Sequence, residues 1–415
     1  MSDYLDALET RNPQSREQAL MNKLPQLIAH AQTAEGWGRI LQGVDAHDIK
    51  SRSALAQLPV TRKSDLKDLQ KALPPFGGLN TTPARQMGHV FMSPGPIFDP
   101  EGRGQDWWRF ARPMHAIGLR AGHLLQNCFS YHFTPAAFMV ESAAARIGCA
   151  VIPAGIGQTE MQVQAMAELR PDAYIGTPSF LKIILEKALD MGADISSVQR
   201  AIVGAEALPP SLRKWLQEHG VAQVLQIYAS ADIGNIAYES VTDGQVNPGM
   251  ILDEDLILEI VRPGTGDLVA EGEVGEVLIT SFNPDYPLIR FGTGDMSAIL
   301  AGISPCGRTN QRIKGWMGRA DQTTKVKGMF VHPSQVAEVV KRHPEISKAR
   351  LVVTGEMAND VMSLHCETAA VGPVLQAAII DSLRDVTKLR GDVQFVAPGS
   401  LANDGKVIDD ARKYE

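Results

Sequence analysis

Short apolar runs and amphipathic stretches alternate along the chain, and their spacing changes twice. Residues 1–72 are polar with a helical period. They close on Leu58-Pro-Val-Thr-Arg-Lys-Ser-Asp-Leu66, where Ser64 can cap a short helix behind an extended Leu-Pro-Val segment. Leu73-Pro-Pro-Phe-Gly-Gly-Leu79 is a loop by composition. The pattern then predicts a short strand over 89–98 that enters a proline turn, and a helix over 107–119. From residue 124 strand-like runs at 124–129, 149–153, 172–177, 200–204 and 224–228 alternate with helical stretches at 135–147, 160–169, 180–191 and 209–219. Ser179 is placed to cap the helix over 180–191 and Gly192 to close it. Such alternation implies βαβ units around a parallel sheet, whose ligands bind beyond the carboxyl ends of the strands.

Beyond residue 250 the pattern turns to antiparallel strands, 255–261 and 276–280, around Pro263-Gly-Thr-Gly266 and Gly272-Glu-Val-Gly275. After Asp321 a smaller α+β pattern follows: strand 323–331, helix 333–342, strands 349–353 and 361–367, helix 372–388, strand 392–396 and a polar tail. The fold class expected is α/β. A large N-terminal domain over 1–317 holds βαβ sheets and an antiparallel part, and a small α+β domain covers 318–415.

A length of 415 residues supports this division, being more than one ordinary domain holds. Composition excludes several function classes. A net charge of −7 with no basic stripe argues against nucleic-acid partners. The acidic start Met1-Ser-Asp-Tyr-Leu-Asp is unlike a secretory or mitochondrial leader. No uncharged apolar run reaches the length of about 18 residues that a membrane span needs, since the best stretch, 136–157, carries Glu141 and Arg146. The four cysteines, Cys128, Cys149, Cys306 and Cys366, form no Cys-x-x-Cys pair, and none of the ten histidines pairs with another at zinc-ligand spacing. The expected location is a reducing cytoplasm, with a homodimer as a candidate assembly.

Candidate chemistry concentrates in Pro287-Leu-Ile-Arg-Phe-Gly-Thr-Gly-Asp295 and in Gly318-Arg-Ala-Asp321. The first is a hydrophobic strand whose glycines allow a tight turn and which delivers a carboxylate to its end. The second places a guanidinium and a carboxylate at the expected domain joint, a natural place to grip a nucleotide. Walker A, nucleophile-elbow, His-Glu-x-x-His and Rossmann glycine signatures are all missing. On the residues alone, the chain is a two-domain α/β enzyme with a nucleotide-like joint.

From Leu58 to its C-terminus the chain also resembles the phenylacetate–CoA ligase family of the adenylate-forming superfamily. The resemblance rests on an ordered set of segments: Leu58-Pro-Val-Thr-Arg-Lys, Gly176-Thr-Pro-Ser-Phe180, Gly204-Ala-Glu206, Gly272-Glu-Val-Gly-Glu276, Arg290-Phe-Gly-Thr-Gly-Asp295, Cys306-Gly-Arg-Thr309, Gly318-Arg-Ala-Asp321, Val331-His-Pro-Ser-Gln335 and Gly405-Lys406. It implies an ATP-dependent ligase that joins a small carboxylic acid to AMP and then to coenzyme A, with Mg2+.

By the same resemblance Asp295 takes the ribose hydroxyls, as an acceptor-only group suits two adjacent donors. Arg319 holds the nucleotide with a fixed fork of donors, and Asp321 is the hinge about which a mobile small domain turns. Lys406 is the catalytic cation of adenylation, where negative charge gathers in the transition state. Gly204, Ala205 and Glu206 lie along the adenine, Tyr228 and Ala229 near it, and Asp232 takes the magnesium-facing acidic role. Tyr131, His132 and Phe133 belong to the aromatic segment near the substrate carboxylate.

Two departures fall on the phosphate end. The family's loop rich in Ser, Thr and Gly, ending in Lys-Pro, is here Ser93-Pro-Gly-Pro-Ile-Phe-Asp-Pro-Glu101. Ser93 and Gly95 remain, two prolines remove amide donors, and Asp99 and Glu101 would repel phosphate. Ala231 replaces a hydroxyl residue beside Asp232, where the family carries a glutamate. The sequence therefore leaves three readings open: an acyl–CoA ligase, a relative that binds nucleotide or an acyl ligand without adenylating it, and an adenylating enzyme that loads a carrier protein.

Overall fold

The computed structural model describes residues 3–93, 96–320, 322–355, 359–402 and 406–412. The chain divides into two compact units, Met1–Ala205 with Trp215–Met317, and Glu206–Lys214 with Gly318–Glu415.

The first unit opens with helices α1 (Pro13–Ala31), α2 (Glu35–Ile40) and α3 (Arg52–Leu55), then strand β1 (Thr61–Arg62) and helix α4 (Leu66–Ala72). Buried ion pairs anchor this segment. Arg16 Nε lies 3.1 Å from both Glu254 oxygens, and Arg112 bridges Asp6 and Asp253, each at 2.8 Å. The single strand expected over 89–98 is instead a hairpin, β2 (His89–Ser93) and β3 (Ile97–Glu101), with Phe91 opposite Asp99. The helix expected over 107–119 shortens to α5 (Ala111–Ala116), because the buried Asp106 carboxylate accepts from the amides of Phe110 and Ala111 and fixes its start.

The βαβ region follows as the alternation predicted: β4 (Leu124–Asn127), α6 (Ala136–Ile147), β5 (Ala150–Ile152), α7 (Thr159–Leu169), β6 (Ala173–Gly176), α8 (Pro178–Met191), β7 (Arg200–Val203), α9 (Pro210–Glu218) and β8 (Gln223–Ser230). The cap of α8 differs from expectation. Pro178 takes the first helical position, for which its fixed φ is suited, so Thr177 and not Ser179 is the cap, accepting from Phe180 N at 3.3 Å. Gly192 closes α8 at φ +62°, as expected.

Next come β9 (Gly234–Tyr238), a hairpin of β10 (Val241–Thr242) and β11 (Gln245–Val246), β12 (Met250–Leu252), β13 (Leu256–Val261), β14 (Gly275–Ser281), β15 (Leu288–Ser297), β16 (Ile299–Leu300) and β17 (Arg312–Ile313). Two sheets carry this unit. The nine-stranded sheet runs β16-β17-β12-β9-β8-β7-β6-β4-β5 and is parallel from β5 to β8. The four-stranded sheet runs β1-β15-β14-β13. Its β13 and β14 are antiparallel, as their turn-rich connection implied, while β1 is parallel to β15 with Arg62 opposite Gly292.

In the second unit the strand expected over 323–331 is a hairpin of β18 (Thr324–Val326) and β19 (Met329–Val331). Lys327 and Gly328 turn it with φ of +47° and +82°, the conformation of a two-residue primed turn. Helices α10 (Pro333–Arg342) and α11 (Pro373–Thr387) accompany a sheet of β20 (Lys348–Thr354), β21 (Val361–Glu367), β22 (Asp392–Val396) and β23 (Ile408–Asp410). The sheet order is β22-β21-β20-β23, so part of the expected polar tail is a strand pairing parallel to β20. The core of this unit includes Val339, Leu351, Leu364, Ile379 and Leu383.

Candidate nucleotide and acid site

Asp295 stands near the end of β15 and is half-buried. Its backbone amide donates to Thr293 Oγ1 at 3.1 Å, and Thr293 in turn donates to Val277 O on β14 at 3.0 Å. The Tyr228 hydroxyl donates to Asp295 Oδ2 at 3.0 Å and lies 3.2 Å from Thr293 Oγ1. Trp316 Nε1 donates to Oδ1 at 3.0 Å. Each carboxylate oxygen is thus fixed by a donor from a different element, and a carboxylate oxygen can accept more than one bond. Tyr228 reaches this point from the other sheet, where β8 carries an irregularity between Tyr228 and Ala229. The structure therefore brings together three groups far apart in sequence, and Trp316 is one that no motif pointed to.

Around Tyr228 the strand ends pack closely. A side-chain carbon on Gly204 would lie 2.7 Å from Ile227 Cγ1, so only glycine lets the end of β7 approach β8. Ala205 is exposed with φ of +64°, and Ala229 is half-buried. Glu206 falls in the second unit, apart from Gly204 and Ala205 in the grouping of the chain.

The phosphate end carries a charge arrangement that the sequence reading did not anticipate. Ser93 ends β2, its hydroxyl 3.4 Å from Ile97 O, while Gly95 lies outside the described residues. Asp99 and Glu101 do not face outward as bare charges. Glu101 is buried and pairs with His89 Nδ1 at 2.7 Å. Asp99 is 1% exposed and lies within hydrogen-bonding reach of Ser93 and Asp232. Burial, reinforced by the neighbouring Asp232 charge, pushes the Asp99 carboxyl up to about 8. Asp232 is equally enclosed, and its Oδ2 accepts from Lys63 Nζ at 2.5 Å.

Lys63 follows directly on β1, so the pairing of β1 with β15 sets it beside the strand that carries Asp295. Its segment belonged to the resemblance, yet nothing in the sequence linked Lys63 to Asp232, 169 positions away. Among the described residues, no group of three or more His, Cys, Asp or Glu could hold a metal ion.

The aromatic segment divides. Tyr131 is half-buried, donates to Glu141 Oε1 at 2.5 Å and accepts from Asn127 Nδ2 at 2.9 Å. Burial and Glu141 hold its phenol above the ordinary range. It also packs edge-on against Phe138, 5.7 Å between ring centres, and Phe138 touches Phe91 and His89 of the hairpin. His132 and Phe133 are exposed, so neither walls an enclosed pocket here.

In the second unit Lys406 Nζ lies 3.2 Å from Asp409 Oδ1, with its side chain 54% exposed. The backbone next to it is held by Gln322, whose Oε1 accepts from Val407 N at 2.7 Å. Arg319 is half-buried and its carbonyl accepts from Gln322 N at 3.4 Å; Asp321 lies outside the described residues.

Comparison with known proteins agrees with these features. Residues 115–283 match the family described as AMP-binding enzyme. The phenylacetate–coenzyme A ligase of Thermus thermophilus is 29% identical over 383 residues, 88% of this chain and 84% of the relative. The enzyme of the same name from Escherichia coli is 28% identical over 361 residues, 83% of this chain and 80% of the relative. Among solved structures, a 2-hydroxyisobutyryl-CoA ligase in complex with 2-HIB-AMP and CoA superposes with a TM-score of 0.82 at 24% identity, covering 100% of this chain and 93% of that one. At that identity the superposition speaks for the fold.

Proposed function

Since the chain belongs to the AMP-binding, adenylate-forming enzymes and is phenylacetate–CoA ligase-like, we propose that it is an AMP-forming carboxylate–CoA ligase acting on an aryl or short apolar acid. The observation that carries this reading is the Asp295 carboxylate, held by Tyr228 and Trp316 at a strand end. There it can accept the two ribose hydroxyls of a bound nucleotide.

In the first half-reaction a carboxylate oxygen of the acid attacks the α-phosphorus of ATP, and pyrophosphate leaves with the bonding electrons. In the second the thiolate of coenzyme A attacks the acyl carbonyl of the adenylate, and AMP leaves. Gly204, Ala205 and Glu206 border the adenine with Ala229, and Ser93 and Gly95 border the phosphates. Arg319 and Lys406 come from the smaller domain, proposed to span 318–415 and to turn about Asp321. Lys406 neutralises charge that develops on the α-phosphate and carboxylate. Tyr131 and its aromatic neighbours support a flat or apolar acid more than His132 and Phe133 do, since the last two are exposed.

Asp232 does not fit the magnesium role expected of it. Its side chain is fully shielded, one oxygen is taken by Lys63, and the acid Asp99 stands beside it. Magnesium is assigned to the phosphates of ATP, which it accompanies into such sites, and no step is routed through Asp232.

The test is formation of AMP and acyl-CoA from ATP, coenzyme A and a panel of aryl and short-chain acids. Acyl-CoA formed with any member supports the ligase. AMP binding without any product favours the binding-only relative, the reading motivated by the altered Ser93–Glu101 stretch. Adenylate formation without transfer to coenzyme A favours a carrier-loading enzyme.

A further inference from the structure

The phosphate end lacks the lysine and hydroxyls of a phosphate loop, yet it holds a buried group of two acids and one ammonium. Asp99 comes from the hairpin strand β3, Asp232 from the turn after β8, and Lys63 from the end of β1. Asp99 Oδ2 and Asp232 Oδ1 are both buried and find no donor among the described residues, although the two side chains are within hydrogen-bonding reach of each other. Two facing, unpartnered carboxyl oxygens are satisfied together if one of the acids carries a proton. The direction of the Asp99 shift agrees: below about pH 8 it is the neutral partner. The other groups around Asp99 do not supply that proton. Ser93 approaches it from β2, the Tyr286 phenol is driven well above its ordinary range by burial, and Gln70 of α4 bonds only the backbone of Phe98. Lys63 differs from both acids in being partly open, with 26% of its side chain exposed against none for Asp232.

We propose that Asp99, Asp232 and Lys63 form the polyphosphate-binding end of this site, a proton-linked relay in place of a hydroxyl-rich loop. Neutral Asp99 donates to Asp232, and Asp232 holds Lys63 between the Asp295 strand and the hairpin. Lys63 then turns to the β- and γ-phosphates of ATP. The negative charge it leaves is shared by two carboxyls around one proton and is not stranded on one buried acid. Loss of the Asp99 proton gives the group a net charge of −1, which draws Lys63 back and repels phosphate. Asp99 and Asp232 are positioning residues here, and Lys63 is the binding cation. The proposal rests on the nucleotide-binding reading above.

Calorimetric titration of the full chain with ATP, pyrophosphate and AMP between pH 6.5 and 9 tests it. In the unsubstituted protein, ATP and pyrophosphate affinity should fall at least ten-fold as pH rises through about 8, where Asp99 ionises, while AMP affinity stays within about two-fold. Lys63→Met should weaken ATP at least ten-fold and leave AMP nearly unchanged, and Lys63→Arg should restore most of the loss. Asp99→Asn keeps a donor to Asp232, so it should retain ATP affinity and abolish the pH dependence. If Lys63→Met disturbs folding, the double variant Lys63→Met with Asp232→Asn removes both buried charges and should show the same selective loss of ATP. Equal losses for ATP and AMP, or lower melting temperature with unchanged affinities, would make the group a structural ion pair and overturn the proposal alone. An unsubstituted protein that binds no nucleotide overturns it together with the ligase reading.

Discussion

Replacing Arg290 by methionine should destabilise the first unit by about 4 kcal/mol and weaken nucleotide binding with it. The Arg290 guanidinium is buried and every nitrogen is used. Nε lies 3.1 Å from both Glu259 oxygens, Nη1 donates to Ala56 O and Leu58 O at 2.8 and 2.6 Å, and Nη2 donates to Gly266 O at 2.8 Å. One side chain thus ties β15 to β13, to the segment before β1 and to the loop after β13. Methionine fills much of the volume without a donor, so Glu259 is left as an unpaired charge at 5% exposure. Breaking such a buried pair costs about 3–5 kcal/mol, and the three abandoned carbonyls add to it unless the loops open to water.

Urea unfolding followed by tryptophan emission measures this. All five tryptophans lie in the first unit, and Trp37 donates to Pro287 O at 2.8 Å, one residue before β15 begins. The double variant Arg290→Met with Glu259→Leu removes the stranded charge and should recover more than half of the loss. Because Asp295 sits on the same strand, AMP affinity of the single variant should fall too. A loss below about 1 kcal/mol, or a double variant no more stable than the single, would refute the reasoning.

Two further outcomes follow from the site and its surroundings. Tyr228→Phe removes the donor 3.0 Å from Asp295 Oδ2. It should weaken AMP by about five-fold, about 1 kcal/mol, with the melting temperature nearly unchanged; no effect on AMP would detach Asp295 from the ribose. Among the cysteines, burial pushes the thiols of Cys128 and Cys366 up to about 12 and about 11. Burial also opposes ionisation of Cys306, but hydrogen bonds from Ser240, Ser304 and Arg308 outweigh it and hold that thiol low. Iodoacetamide at pH 8 should therefore label Cys306 first by peptide mapping, and prior labelling of Cys128 in the folded protein would contradict the burial argument.

Much of the fold was legible because it is local. The strands β4 to β8 and their helices follow an alternation that any window of a dozen residues displays, and Gly192 marks its helix end by backbone freedom alone. Asp295 was legible as a strand-end carboxylate. What was not legible is non-local or turns on one competing residue. Nothing near Lys63 signals that β1 pairs with β15, more than 200 positions later, and so delivers an ammonium to Asp232. Asp99 read as a repelling surface charge because neither its burial nor its acidic neighbour is written in its own segment. Trp316 lies outside every motif, although a lone indole two residues before Gly318 is a signal that could have been weighed. The 323–331 run looked like one strand because β-formers fill it; a single Lys-Gly turn folds it back.

The central claim, that this chain adenylates a carboxylic acid, is tested most directly by carboxylate-dependent exchange of pyrophosphate into ATP. The account predicts exchange that requires an acid from an aryl or short-chain panel. It also predicts a loss of exchange on the order of 100-fold or more in Lys406→Ala, with AMP affinity within about two-fold of the unsubstituted protein. The Lys406 side chain is 54% exposed, so the substitution should leave the fold intact. Tight binding of AMP without exchange for any acid in the panel would contradict the account and leave a nucleotide-binding protein that does not turn over ATP.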